Sequence, residues 1–287
     1  MSSRALGLEV SESVVRAVLV DEKGRVAWRA DGPAEPRSLA ALLTPAVKDA
    51  GGVSAAGVAR YDGIADDLQR AVEDAAGIEA LSVGAGIAAV TAETWCGAAQ
   101  GLKHVVALTL GERVAAGVLL NGAPWSGAHG LAGSAAWLAI NPVERQDYRR
   151  SGSLDAEISA RGIARRLVWR IEAGDHSSVR EKARTLDAIT AMHVFEGARE
   201  PDGVALSVVR DTARYIGMAV ANLIATLDPE MTVVGGAIAG AGDLLLEPVR
   251  LECARRLSPA LAERLRIEIS PLGPDAAAIG AARLARG

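Results

Sequence analysis

The run from Met231 to Arg250, MTVVGGAIAGAGDLLLEPVR, joins a buried strand, a glycine turn and a helix with almost nothing between them. Met231–Val234 is a short apolar strand, and Asp243–Arg255 is an amphipathic helix. Between them, Gly235-Gly236 lets a backbone approach a ligand where any Cβ would clash. Upstream, Leu227-Asp228-Pro229-Glu230 closes a long helix, because Pro229 cannot extend it. A strand entering a Gly-Gly bend before a helix is where α/β proteins seat the adenosine of a nucleotide. A tight strand–helix connection with no ligand produces the same run, so both readings stand.

At 287 residues the chain suits one large domain or two modest ones sharing a cleft. Hydrophobic residues make up 50% of it and aromatics only 3%, so the core must be built from Ala, Val, Leu and Ile. A net charge of −4 creates no global field for nucleic acid or anionic lipid. Seven arginines between Arg145 and Arg170 include the i,i+4 pairs Arg161/Arg165 and Arg166/Arg170, expected to form a solvated helix face. Cys96 and Cys253 lie among small apolar residues and are expected as buried reduced thiols. No window reaches the roughly 18 unbroken apolar residues of a membrane span, and no signal core opens the chain, so a cytosolic protein is expected.

Strands are expected at Leu6–Val10, Val14–Val20, Arg25–Ala30, Val53–Ala59, His104–Leu110, Val114–Leu120 and Arg264–Ile269. Asn121-Gly122 marks a hairpin turn. Helices are expected at Leu39–Ala50, Ile64–Ala76, Ala88–Gln100, through most of 154–227 and from Asp275 onward, with Ser207–Leu227 the longest element. Two blocks of β-hairpin plus helix suggest a duplicated fold with a cleft between lobes.

The stretch Leu227–Arg250, together with PLGPDAAAIGAARLA (Pro271–Ala285), resembles the C-terminal half of the ROK family of bacterial sugar kinases and sugar-responsive repressors. Leu6–Val26 resembles that family's phosphate-binding hairpin, and Val105–Ile140 its second phosphate loop and sugar-contacting segment. The resemblance implies an α/β, two-lobed actin-like, hexokinase-like (ribonuclease H-like) ATPase fold. It would send the last helix back to the first lobe, giving an N-terminal lobe of residues 1–100 plus 274–287 and a C-terminal lobe of 101–273. The strand pattern begins by Leu6, so direct DNA binding by a preceding helix-turn-helix is not expected.

Phosphoryl transfer to a sugar hydroxyl needs a carboxylate base, donors around the phosphates and Mg²⁺. The family supplies the base as Asp in E-N-D-A-N-A-A-A-L-A-E. The same register here runs from Val83 to Glu93 and puts Gly84 at the Asn and Ala85 at the catalytic Asp. A methyl group accepts no proton. The first phosphate loop, D-I-G-G-T-K in the family, is Glu9-Val10-Ser11-Glu12-Ser13-Val14. Glu9 is either a metal-holding or a hairpin residue, Ser13 either a phosphate donor or a hairpin residue, and Glu12 repels polyphosphate by about 1 kcal/mol or more at contact. The second loop, T-L-G-T-G-I-G-G-G, keeps Gly111 and Gly117 but adds Glu112 and Arg113, the latter expected to pair with Glu112 or solvent. Gly111, Gly117, Gly235 and Gly236 complete the nucleotide-binding candidates.

The family's sugar and zinc pattern A-G-E-x-G-H becomes Ala132 to Trp137, and its cysteine pattern becomes Gln146 to Asp155. Three thiolates and a His ligand are missing, so no zinc is expected and Trp137 is expected to hold the loop by packing. Asp155 stands for a sugar-binding Glu, or caps a helix; His129 contacts sugar, or makes a loop hydrogen bond. Between Val53 and Val83 the family's longer sugar-loop insert is missing, and Tyr61-Asp62-Gly63 has the look of an ordinary turn. Asp62, Asp66 and Asp67 remain candidates for a displaced base.

Three functions follow. The first is a non-catalytic pseudokinase acting as ligand sensor, scaffold or partner subunit, with a small carbohydrate or nucleoside ligand and a homodimeric or heteromeric partner. The second is an active glucokinase-like enzyme using ATP and Mg²⁺ through Glu9 or Asp155. The third is a sugar-responsive co-regulator that borrows a DNA-binding partner.

Overall fold

The computed structural model describes residues 4–61 and 67–287. Two five-stranded sheets share one plan. The first runs β3-β2-β1-β4-β5, from β1 (Ala5–Val10), β2 (Val14–Val20), β3 (Val26–Pro33), β4 (Ala55–Arg60) and β5 (Ala80–Gly84). The second runs β10-β9-β6-β7-β8, from β6 (Val105–Leu110), β7 (Val114–Leu120), β8 (Ala123–Pro124), β9 (Met231–Gly235) and β10 (Ile267–Ile269). In each, an antiparallel meander of three strands is followed by two parallel ones. That repeat is the duplication expected from the sequence. Asn121 (φ 53°) and Gly122 (φ 80°) both take the left-handed conformation of a type I′ hairpin turn between β7 and β8.

Helices α1 (Pro36–Asp49) and α2 (Asp67–Ala76) cover one face of the first sheet, where their leucines and valines meet Leu6, Leu8, Val15 and Val58. A larger core lies against the second sheet. α4 (Gln146–Ser151) packs on α5 (Ser153–Ile158), which forms this core with α6 (Ala160–Glu172), α7 (Val179–Ala183), α8 (Ala191–Arg199), α9 (Gly203–Leu227), α10 (Gly242–Ala254) and α11 (Pro259–Ala262). The longest, α9, starts where Asp202 accepts from the Val204 and Ala205 amides and stops at Asp228 in the αL conformation, just before Pro229.

Two helices made largely of small residues hold the sheets together. α3 (Ala85–Trp95) touches β4, β5, β6 and β7, and α12 (Ala276–Ala285) lies on β1, β4 and α3. Alanine and glycine let the backbones approach closely. A Cβ on Gly7 would sit 2.0 Å from the Ala278 carbonyl oxygen, and one on Gly57 2.1 Å from that of Ala281. With 3% aromatics in the chain, this closeness replaces bulky side chains as the source of packing density.

The structure moves several expected boundaries. α3 begins at Ala85 rather than Ala88 and ends at Trp95, because Gly84 and the unforeseen strand β5 feed straight into it. β10 is shorter than Arg264–Ile269, and β4 starts at Ala55 rather than Val53. The expected helix start at Ile64 lies outside the described residues. Cys253 is buried, but Cys96 is only half-buried at the end of α3; burial pushes both thiols up to about 11. Among the described residues, no helix is long and apolar enough to cross a membrane.

Gly280 offers a direct check on the close packing. A Cβ there would lie 1.7 Å from the Ala88 carbonyl oxygen, a backbone atom that cannot swing aside. Gly280→Ala is expected to destabilise the protein by about 2 kcal/mol or more in urea unfolding, although alanine is the better helix former. An unchanged midpoint would mean that α12 and α3 are not held this tightly.

Candidate functional site

The turns of the two hairpins meet across the cleft. Ser11–Ser13 joins β1 to β2, and Gly111–Arg113 joins β6 to β7. Glu112 reaches into the first turn, where its carboxylate accepts from Ser11 Oγ at 2.7 Å, from the Ser13 amide at 2.9 Å and from Ser13 Oγ. Glu12 reaches the other way, lying 2.9 Å from Arg113 and 3.7 Å from Arg161. Burial alone would raise the Glu112 carboxyl, but the bonds from Ser13 and Ser11 outweigh it and hold the group below its ordinary value. Arg113 Nε also lies 3.4 Å from Asp155. The expected Arg113–Glu112 pairing is therefore replaced by Glu12 and Asp155 as partners.

Behind these turns sits a second group of charges. Glu9 accepts a 2.7 Å hydrogen bond from the Tyr61 hydroxyl on one oxygen and faces Arg16 at 3.7 Å with the other. Arg16 forks onto Asp31 at 2.9 and 3.0 Å and lies 3.6 Å from Asp275, whose other oxygen is 3.3 Å from Arg29. Strand register dictates this, since Glu9 opposes Arg16 and Arg16 opposes Asp31. Burial lifts the Glu9 carboxyl above its ordinary value despite Tyr61 and Arg16. Burial and the neighbouring Glu9 raise the Tyr61 hydroxyl as well.

A cavity of about 200 Å³ opens at the start of α3, between the end of β4, the near end of β7 and the loop 126–137. Ala85 lines it and is 2% exposed, packed with Ala59, Tyr61, Ala88, Ala277 and Ala281. The charged residues of its described lining are Arg60 and Arg113, and no carboxylate belongs to it. Leu131 and Trp137 form part of its wall.

The other candidates lie elsewhere. Asp155 is buried inside α5, where it accepts from the Val114 amide at 2.9 Å; burial raises its carboxyl despite Arg113. It is not a helix cap, a position Gly152 holds, and it faces a separate cavity of about 380 Å³ with Glu12, Glu112 and Arg161. His129 is exposed and makes no hydrogen bond among the described residues, which overturns the expected loop bond. Asp67 is exposed on the first turn of α2; Asp62 and Asp66 lie outside the described residues. Tyr61, expected in an ordinary turn, is buried at the end of β4.

The candidate glycines meet protein. A Cβ on Gly117 would be 1.8 Å from the Gly86 carbonyl oxygen, so this residue serves the crossing of α3 over β7. Gly236 has φ +84°, and a Cβ there would be 2.4 Å from the Leu110 carbonyl oxygen. Gly235 abuts Ser270 at 3.2 Å, while Gly111 has room. Gly236 is thus required by the chain's own path between β9 and the helix, and Gly235 is closely packed there.

At the expected zinc segment, the three cysteine positions of the family pattern fall at Gln146, Tyr148 and Ser153. Tyr148 is buried and donates 2.5 Å to Glu157, whose side chain is 1% exposed. Arg145 donates 2.8 Å to Glu157, bonds Asp147 and lies 4.5 Å over the Tyr148 ring. Arg165 pairs with Asp147 at 2.8 Å, and Arg166 approaches Glu157 at 3.6 Å. Two expectations fall here. Trp137 is 52% exposed, so it does not hold the loop by packing. Arg166 is only 11% exposed and lies against the buried Glu157, so the expected solvated face fails there while Arg161 and Arg170 stay exposed. Among the described residues no cluster of His, Cys, Asp and Glu is arranged to hold a metal. The sequence signal for these networks was modest: Arg16 is the lone cation in VVRAVLV, and Glu157 follows Asp155 in the short run SLDAEI.

Arg145→Ala would leave Glu157 buried with less compensation. It is expected to cost on the order of 3 kcal/mol in urea unfolding, with Arg145→Lys recovering part because it lacks the planar fork. Incubation with EDTA should leave the unfolding midpoint of the native protein unchanged. A large drop with EDTA would show that a metal, not this ionic network, holds the segment.

Comparison with known proteins supports the fold and shows the family. The ROK family model matches residues 50–287. A glucokinase of Halalkalibacterium halodurans is 34% identical over 194 residues, covering 67% of this chain and 59% of that protein. A glucokinase of Thermotoga maritima is 31% identical over 196 residues, covering 68% and 62%. The chain therefore spans about three fifths of the length of these relatives. The crystal structure of a ROK family glucokinase from Streptomyces griseus, in complex with glucose and AMPPNP, has the same fold, with a TM-score of 0.86 at 24% identity over 99% of each chain. By sequence, and with the two-lobed actin-like fold expected for it, this chain belongs to the ROK family.

Proposed function

We propose that this protein is a non-catalytic member of its family, a pseudokinase whose cleft serves ligand sensing or assembly with a protein partner. One observation carries the reading. Ala85, at the α3 position from which a sugar kinase draws its proton, is buried among alanines beside a cavity whose described lining holds no carboxylate. Loss of a general base costs roughly 10²–10⁴ in rate by itself.

Magnesium and nucleotide phosphates fit the residues poorly. Both oxygens of Glu9, the acid aligned with a metal-holding position, are engaged by Tyr61 and Arg16. The donors of the first loop are engaged by Glu112. A zinc ion has no ligand set at the Arg145–Tyr148–Glu157 network. On this reading the protein is cytosolic and works as a homodimer or with a heteromeric partner.

A second reading, an active glucokinase-like enzyme, draws on Tyr61. Its side chain lines both the cavity at Ala85 and the small cavity at Glu9, so a raised-pKa acid lies one hydrogen bond from the sugar-sized space.

A coupled assay with Mg·ATP and a panel of hexoses and amino sugars separates the two. The expected turnover is that of the enzyme-free blank. Turnover that Glu9→Gln or Asp155→Asn abolishes would replace the first reading with the second. Ala85→Asp is expected to lower stability by a few kcal/mol, because its carboxylate enters an alanine cluster, and to bring no turnover.

A further inference from the structure

We propose that Glu112 is a built-in anion that occupies the first loop's donor cradle and latches the cleft shut from inside. The inference rests on the non-catalytic reading and gives that reading a conformational mechanism.

The geometry is that of a bound ligand. Ser11 Oγ and the Ser13 amide converge on one oxygen of the Glu112 carboxylate, and Ser13 Oγ donates to the other. Backbone N–H and hydroxyl donors gathered on anionic oxygens form the arrangement by which loops hold phosphate, and a carboxylate satisfies it equally well. Here the anion comes from a different sheet, about a hundred residues further along the chain. It does not act alone. Glu12, between the two serines, crosses back to Arg113 and Arg161, so the turns exchange acids and donors in both directions. Behind them the Arg16 guanidinium lies among Glu9, Asp31 and Asp275, putting a fixed positive charge beside the acid aligned with a metal-holding position.

Tethering makes the latch effective. A carboxylate held on the same chain acts at an effective concentration of the millimolar order or above, whatever the free ligand concentration. An external polyphosphate must displace Glu112 and also face the Glu12 carboxylate beside the cradle. The two turns are thereby held together by the chain's own groups.

The test compares the native protein with Glu112→Ala and with the double variant Ser11→Ala/Ser13→Ala, using hydrogen–deuterium exchange at residues 11–14 and 111–114 and the radius of gyration from solution scattering. Sodium triphosphate serves as the anion probe. The native protein should show protected turns that triphosphate leaves unchanged. Both variants should exchange faster in both turns, by ~10-fold or more for loss of charge-assisted hydrogen bonds, and should expand. Triphosphate should restore protection at 11–14 in Glu112→Ala, whose donors remain, but not in the double serine variant. If Glu112→Ala does not fold, Glu112→Gln, which keeps the shape and loses the charge, gives the same comparison. Native-like exchange in the folded variants, or protection of the native protein by triphosphate, overturns the latch. Turnover in the kinase assay would remove the non-catalytic reading while leaving these exchange results to be judged separately.

Discussion

Everything in this structure depends on two helices being allowed to lie very close to their neighbours. α3 and α12 bridge the sheets, and the surfaces they share are made of alanine and glycine. The Gly86–Gly117 crossing and the Gly280–Ala88 contact leave no room for a methyl group. In a chain with few aromatics, cohesion comes from many small contacts at short range rather than from a few large side chains. That constraint also places Ala85. It begins α3 immediately after β5, in the same alanine layer, so the residue aligned with the catalytic acid has become part of the packing.

The charged groups tell a complementary story. A kinase cleft must gather anions and cations that belong to its ligands, and keep its own donors ready for them. In this chain the donors and acids satisfy one another. Glu112 fills the serine cradle, Arg16 sits among Glu9, Asp31 and Asp275, and Arg145 with Tyr148 and Glu157 binds the segment aligned with a zinc site. In each place the acids find partners on the same chain: Glu112 the two serines, Glu9 Tyr61 and Arg16, and Glu157 Tyr148 and Arg145. Register brings Glu9, Arg16 and Asp31 face to face, whereas Glu112 and Glu157 reach partners on other elements.

How far the sequence could be read follows from the range of the interactions. The duplicated meander, the hairpin at Asn121-Gly122, the end of α9 before Pro229 and the Gly235-Gly236 bend were all legible, because each depends on neighbours a few residues away. Ala85 was legible as the residue at the position where the family pattern has Asp. Other features were not. β5 lacked an alternating pattern because Ala80–Gly84 is a short edge strand beside β4. The partners of Arg113 and the role of Tyr61 each join residues 40 or more positions apart. Trp137 looked like packing by its size, whereas its 52% exposure follows from where the loop lies.

The sequence by itself determined which groups are present: an alanine where the family pattern has an acid, Glu12 and Glu112 in the two hairpin turns, and no cysteine or histidine at the pattern's zinc positions. Only the tertiary structure decided what those groups do. Whether Glu112 repels a ligand or replaces one depends on the distance between two turns that adjoin only when the sheets dock. Electrostatic and hydrogen-bonding energies change over ångströms, and the order of residues along the chain does not encode those separations.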